Sequence, residues 1–361
     1  MTQEEFARWH RAGSLLARLP ASVTGGLLPQ RLLDDLASAA RGDAAHGTCL
    51  LRIVVLWAAA ARDGQFIEAL FAARLPGFEP GRPAGGQLPL RITPQEGPPR
   101  LVHDQSGHSW PALEIRPGQR AAWRYAAPVT VIVLPVVSPY GQAGPGFSMA
   151  AAIRGELAGA HAVLGVVGFE DITGSGTSAG PAGWRLAHLD HLAEWLSFAL
   201  DCAGTERVTI AVDGVGGARA DPGVVRDLVR QRARVRLCLP SSWPTDAIIS
   251  ADSGLALAGG YRADENWAAS GLPELLHRIS DPLAADPMLI FMSTAAREFR
   301  DACVKISHRS AEILAAGTTA GDQRHPCPGN AAHRRARLAA IAAGPIAARA
   351  LEGRPLASRG G

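Results

Sequence analysis

Thr205-Glu-Arg-Val-Thr-Ile-Ala-Val-Asp-Gly-Val-Gly-Gly217 closes the stretch whose reading decides the fold, Pro128 to Ala220. Within that stretch Val129-Thr-Val-Ile-Val-Leu134, Ala162-Val-Leu-Gly-Val-Val-Gly168 and Arg207 to Val212 are short, continuous apolar runs bounded by turn residues. Runs of this kind suit strands covered on both faces. Ser148 to Gly159 and Leu186 to Cys202 carry helix-forming composition between them. The resulting β-α-β-α-β order predicts an α/β fold: a three-layer, mostly parallel sheet with helices on both faces, preceded by an N-terminal helical region.

Upstream, Arg100-Leu-Val-His, Ala112-Leu-Glu-Ile-Arg and Ala121-Ala-Trp-Arg-Tyr are turn-flanked strand candidates, an antiparallel entry into the parallel sheet. Downstream, Val224 to Gln231 reads as a helix, Val235-Arg-Leu-Cys-Leu239 as a fourth strand and Pro287-Met-Leu-Ile-Phe-Met292 as a fifth. Glu4 to Leu19, Gln30 to Arg41 and Thr48 to Arg74 have helical composition, with Cys49 to Ala61 expected as a buried helix. The expected domains are an N-terminal helical region over 1–75, a Pro/Gly-rich linker over 76–99 and an α/β core over 100–335. That core would carry an insertion at about 240–286, and a C-terminal helix with a frayed tail would occupy 336–361.

A chain of 361 residues with 47% apolar content can bury a large core. Its net charge of +3 is too small to imply a nucleic-acid or membrane partner. Lys305 is the sole lysine, so arginine carries nearly all the positive charge, the habit of a GC-rich bacterial genome. Met1-Thr-Gln-Glu-Glu-Phe6 has no basic segment followed by an apolar run, and no segment is apolar for long enough to span a membrane. A cytoplasmic location is the expectation. Cys49, Cys202, Cys238, Cys303 and Cys327 are odd in number and form no Cys-x-x-Cys pair, which predicts reduced thiols rather than a disulfide framework.

Glu114-Ile-Arg-Pro-Gly-Gln-Arg-Ala-Ala-Trp-Arg-Tyr125, the two strands after it and the passage from Leu186 to Gly217 resemble the nucleophile-bearing half of the α/β-hydrolase superfamily. The resemblance covers about residues 114–220. In that family a Gly-x-Ser-x-Gly bend exposes a serine between strand and helix. Here the bend reads Val212-Asp213-Gly214-Val215-Gly216, with Gly214 in the serine's place and Gly216 and Gly217 as its small neighbours. A register shift of one would place Asp213 on the bend as an ester-forming nucleophile. The plainer reading of Asp213-Gly214 is a turn that closes a strand.

The resemblance implies an ester- or acyl-directed hydrolase taking a small ester or acyl substrate. Asp213 or Ser178 would be its nucleophile, Asp301 its orienting acid and a late histidine, His325, its base. His308 and His333 are equally late. Ser178 enters through a literal Gly176-Thr-Ser-Ala-Gly180, similar to the word used by patatin-like lipases, and the plainer alternative is a flexible Gly/Ser loop. An elbow without its serine equally implies a non-catalytic protein that binds or assembles with a protein partner, so the question of activity stays open.

A second resemblance, over 207–252, is to Toprim domains of primase-like proteins. It implies a role in nucleic-acid metabolism, with Asp213 among acids holding Mg²⁺. The strand ending Val133-Leu134-Pro135 lacks the glutamate that this chemistry wants. Outside that alternative no cofactor is expected. Cys303, His308, His325, Cys327 and His333 are zinc-type residues without a standard ligand spacing, so no metal site is assigned. The C-terminal arginines read as a solvated helix face.

Overall fold

The computed structural model describes residues 2–24, 27–28, 30–41, 51–57, 65–72, 90–94, 100–102, 112–115, 129–136, 149–173, 182–215, 222–258, 265–285, 287–319 and 330–352. In chain order these begin with α1 (Gln3–Ala17), α2 (Ala21–Thr24), α3 (Gln30–Arg41), β1 (Leu51–Trp57), α4 (Gln65–Phe71), β2 (Leu90–Pro94), β3 (Arg100–Val102) and β4 (Ala112–Ile115). Then follow β5 (Val129–Pro135), α5 (Met149–Ala158), β6 (Ala162–Gly168), α6 (Phe169–Thr173), α7 (Ala182–Ala203), β7 (Val208–Asp213), α8 (Pro222–Arg236) and β8 (Ile248–Ala251). Helices α9 (Ser253–Ala258), α10 (Glu265–Ala269), α11 (Leu272–Ala285), α12 (Pro287–Thr319) and α13 (Asn330–Glu352) complete the order. The chain divides into two compact units, one built from residues 1–49 and 288–361 and the other from 50–287.

The first unit is helical. Thr2 and Glu5 form a capping box at the start of α1: the Glu5 N–H donates to Thr2 Oγ1 at 3.3 Å, and the Thr2 N–H donates to Glu5 Oε2 at 2.7 Å. Phe6, Trp9 and Leu16 bury one side of that helix, and Trp9 meets Phe299 of α12 with ring centroids 5.8 Å apart. A part-buried ion pair joins Arg31 of α3 to Glu298 of α12 at 2.5 Å.

Among the described residues, the second unit holds an eight-stranded sheet in the order β3-β4-β2-β5-β1-β6-β7-β8. From β5 to β8 every neighbouring pair is parallel, whereas β2 runs antiparallel to β5 and β3 antiparallel to β4. The antiparallel entry segment is therefore present in β3 and β4, while Ala121 to Tyr125 lies outside the described residues. The coarse expectation of α/β architecture with a mostly parallel sheet and N-terminal helices holds.

Three elements differ from expectation, each for a visible reason. Leu51–Trp57 is not a helix but β1, flanked by β5 and β6. Its Ile53-Val54-Val55 core is β-branched and every residue is buried, as a strand covered on both faces requires. Arg52 is tolerated there because its Nε donates to the Gly159 carbonyl at 3.1 Å, while its backbone N–H donates to His161 Nδ1 at 3.0 Å.

Val235–Leu239 alternates like a strand, yet it is the end of α8 and the turn beyond it. Val225, Val229, Ala233 and Leu237 recur every fourth residue and are buried, whereas Val235 is 75% exposed on the opposite side. The fourth parallel strand of the β-α-β run is β8 instead. Pro287–Met292 opens the 33-residue helix α12, with Pro287 at the first helical position. Ile290, Phe291, Ala295, Phe299, Ala302 and Ile306 mark its buried side.

Side-chain alternation along the strands divides the packing. Val54, Leu56, Ile132, Val163, Ile210 and Val212 share one apolar cluster with Ile153 of α5, Leu192, Trp195 and Leu196 of α7, and Val229 of α8. Thr209 points the other way, on the side of the sheet where Ile279 and Leu283 of α11 lie.

Candidate functional site

The strand order places a reversal at the middle of the sheet. From β1 the chain goes to the β2–β5 side, and from β6 it goes to the β7–β8 side, while β1 and β6 are neighbours. In open α/β sheets, a crevice at the carboxyl ends of strands whose connections diverge is where ligands bind. The ends of β6, β7 and β8 lie in one row there, with Gly168 opposite Asp213 and Asp213 opposite Ala251.

Asp213 is fixed in that row. Its Oδ1 accepts from the Ser253 backbone N–H at 2.8 Å and its Oδ2 accepts from Ser253 Oγ at 2.8 Å. Gly214 follows at φ 85°, a left-handed conformation that glycine adopts without strain, and donates its N–H to the Ala251 carbonyl at 2.9 Å. Asp252 caps the next helix by accepting from the Leu255 N–H at 2.8 Å. Asp213-Gly214 thus closes a strand, and its carboxylate ties the end of β7 to the start of α9.

Burial lifts the Asp213 carboxyl above its ordinary value, with the nearby Asp252 charge adding to the rise, against hydrogen bonds from Ser253 and Gly214 that lower it. A folded-state value above the unfolded one makes the neutral acid the better-folded form. The contribution of Asp213 to stability is therefore greatest below its unfolded value and falls as pH rises through the folded value. Asp213→Asn keeps an acceptor for the Ser253 N–H and cannot ionise. Urea unfolding between about pH 4 and pH 8 should show its stability relative to wild type rising with pH and then levelling off. Ser253→Ala instead strips a buried carboxylate oxygen of its donor, at a cost of about 1–3 kcal/mol.

The remaining expected site residues do not assemble around Asp213 among the described residues. Asp301 is exposed on α12 and follows no strand, because the strand expected before it is helical; His308, on the same helix, is also exposed. Ser178, Gly216, Gly217 and His325 lie outside the described residues. Ser253 and β1 were not picked out from sequence: Ser253-Gly254 looks like an ordinary helix start, and the alanines after Trp57 make the strand before them resemble a helix.

Among the described residues no three His, Cys, Asp or Glu side chains could share a metal ion. Burial pushes the Cys303 thiol up to about 12, so it is protonated at neutral pH. Alkylation of the native protein should modify exposed Cys238 and spare buried Cys303 until the chain unfolds, read by peptide mass spectrometry. No helix among the described residues is long and apolar enough to cross a membrane.

No protein-family model matches the chain, and no curated protein matches it. Solved structures with a similar arrangement include a chain from an oligomerised bacterial dynamin pair described as a mechanism for long-range sensing and tethering of membranes. It is 10% identical with a TM-score of 0.38, over 87% of this chain and 55% of that one. A second chain from such a pair is 10% identical with a TM-score of 0.41, over 88% of this chain and 48% of that one. Toc33 from Arabidopsis thaliana, in complex with GDP and Mg²⁺, is 12% identical with a TM-score of 0.33, over 72% of this chain and 95% of that one. The chain spans about half the length of the dynamin-pair chains.

The solved structures named above are dynamin-pair and Toc33 chains, and the strand order together with the surroundings of Asp213 corrects both resemblances drawn from the sequence. The structure supplies physical reasons. A strand that was read as helix, β1, separates β5 from β6 and breaks the strand succession on which the hydrolase reading rested. Asp213 is buried with both oxygens engaged by Ser253, so it is neither an exposed nucleophile nor a free Mg²⁺ ligand.

Proposed function

We propose that residues 50–287 form a nucleotide-binding domain that takes a nucleoside phosphate at the carboxyl edge of its sheet, beside the β1–β6 reversal. The strand order carries this reading: parallel strands whose connections diverge from neighbouring central strands leave a crevice at their carboxyl ends. In sheets of this kind, helix N-termini at the carboxyl edge are suited to phosphate.

The same reading excludes hydrolysis by the lysine-dependent route. The phosphate-binding loop of P-loop nucleotide hydrolases places a lysine on the β- and γ-phosphates. Residues 50–287 contain no lysine, and Ala58-Ala-Ala-Ala-Arg-Asp-Gly64 after β1 is no Gly-x-x-x-x-Gly-Lys loop. Mg²⁺ does not fit the described carboxylates of this edge, because Asp213 is held by Ser253 and no three-residue ligand cluster is present among the described residues.

Titration with fluorescent GDP, GTP, ADP and ATP analogues tests the proposal directly. Saturable binding that persists in EDTA, without release of inorganic phosphate from GTP or ATP, is the expected result. Absence of binding by calorimetry up to about 1 mM of each nucleotide would remove the reading, since weaker binding would amount to less than about 4 kcal/mol. Turnover dependent on Mg²⁺ would overturn its non-hydrolysing part.

A further inference from the structure

We propose that His161 and Arg52 form an acid-sensitive latch, which holds the amino end of β1 to the start of β6 only while the imidazole is neutral. The β1–β6 ladder begins with Ile53 opposite Ala162, so the Arg52 amide stands one residue before it. The His161 ring supplies an acceptor there. Its Nδ1 accepts from the Arg52 N–H at 3.0 Å, and the His161 N–H donates to the Arg52 carbonyl at 2.8 Å. The Arg52 Nε donates to the Gly159 carbonyl at 3.1 Å, so the main chain and the side chain of Arg52 grip one turn.

Protonation undoes this arrangement. A ring nitrogen that accepts an N–H carries no proton, whereas an imidazolium is a donor at both nitrogens, so the Arg52 amide would lose its acceptor. His161 is 1% exposed and Arg52 5% exposed, which leaves no water to replace the lost bond. The new charge would also enter a buried turn that already holds a guanidinium. Thr130, opposite Arg52 on β5, is buried and uncharged. The ionisable groups at the ends of the other elements flanking this corner are Glu156 of α5, Asp201 and Cys202 of α7, and Glu206 and Arg207 just before β7. Among the described residues, no carboxylate of Glu156, Asp201 or Glu206 is hydrogen-bonded to the ring.

The sign follows from linkage. The folded chain resists a proton that the unfolded chain accepts, so the latch is at full strength above about pH 6.5, the ordinary imidazole value. Below that it should weaken by about tenfold for each pH unit. The Asp213 contribution runs the other way, so the latch is read at single amides rather than from global stability.

Amide hydrogen exchange of the full chain, followed by nuclear magnetic resonance and expressed as protection relative to intrinsic exchange, tests this. Between pH 7.5 and pH 5.5 the Arg52 and His161 amides should lose about tenfold in protection relative to the Ile210 amide of β7. His161→Asn offers Oδ1 in the place of Nδ1 and cannot take up a proton, so its ratio should stay flat over the same range. Should that variant fail to fold, the wild-type ratio decides alone. A flat wild-type ratio overturns the proposal, as does an equal loss in wild type and His161→Asn. Nucleotide is absent from both samples, so the outcome is independent of the nucleotide-binding reading.

Discussion

Replacing Gly271 by alanine is expected to cost the sheet unit at least about 3 kcal/mol, the combined scale of left-handed backbone strain and overpacking. Gly271 has a φ of 74°, and a Cβ there would lie 2.0 Å from the Ser250 carbonyl oxygen and 3.1 Å from its carbon. Both atoms are backbone and belong to β8, so no side-chain rotation relieves the clash. The turn cannot simply move outward. The Ser270 carbonyl accepts from the Asp252 N–H at 2.8 Å, and the Gly271 carbonyl accepts from the Leu275 N–H at 3.1 Å at the start of α11.

Urea unfolding followed by circular dichroism measures the loss, and insolubility on expression would be its extreme form. Gly155→Ala is the matched control. Nothing lies within 4 Å of a Cβ at Gly155, which sits inside α5, so alanine there should add about 0.5–1 kcal/mol. A wild-type unfolding curve for Gly271→Ala would refute the geometry of the β8 to α11 passage.

Trp195→Ala is expected to cost about 3–5 kcal/mol, the range for removing a buried aromatic side chain from a core. Trp195 is 1% exposed and belongs to the cluster that joins α5, α7 and α8 to one face of the sheet. Its ring stands edge-on to Phe198 at 6.3 Å between centroids, and the Arg154 guanidinium of α5 lies 5.8 Å above it. Truncation therefore opens a cavity and also removes a cation–π contact. Trp195→Phe, which preserves most of the volume, should lose distinctly less. Equal unfolding midpoints for Trp195→Ala and wild type would show that α7 does not pack on the sheet through this residue.

Both positions show where local pattern stops being informative. Ser270-Gly271 reads as a helix break in any fold, but the requirement for glycine comes from Ser250, twenty-one residues earlier. Asp213 is similar. Its place at the end of a strand is legible in Val208-Thr-Ile-Ala-Val-Asp213, whereas its role depends on Ser253 arriving from the next strand-to-helix turn.

The errors over β1, Val235–Leu239 and Pro287–Met292 have one cause. Short apolar runs satisfy a strand and a buried helix equally well until burial on each side is known. In Val235–Leu239 and Pro287–Met292, one exposed apolar residue, Val235 or Leu289, reveals the helical period. Neither exposure can be read from residue type.

What the sequence by itself determined is the β-α-β-α-β core from β5 to β7, because short apolar runs bounded by turn residues and separated by helix formers have few other stable arrangements. It also excluded a P-loop lysine from residues 50–287, since composition alone settles that. Only the tertiary structure decided that β1 enters between β5 and β6, creating the central reversal, and that the Asp213 carboxylate faces Ser253. Strand order and side-chain pairing are long-range contacts, set by which apolar faces bury one another, and such contacts leave no periodicity along the chain.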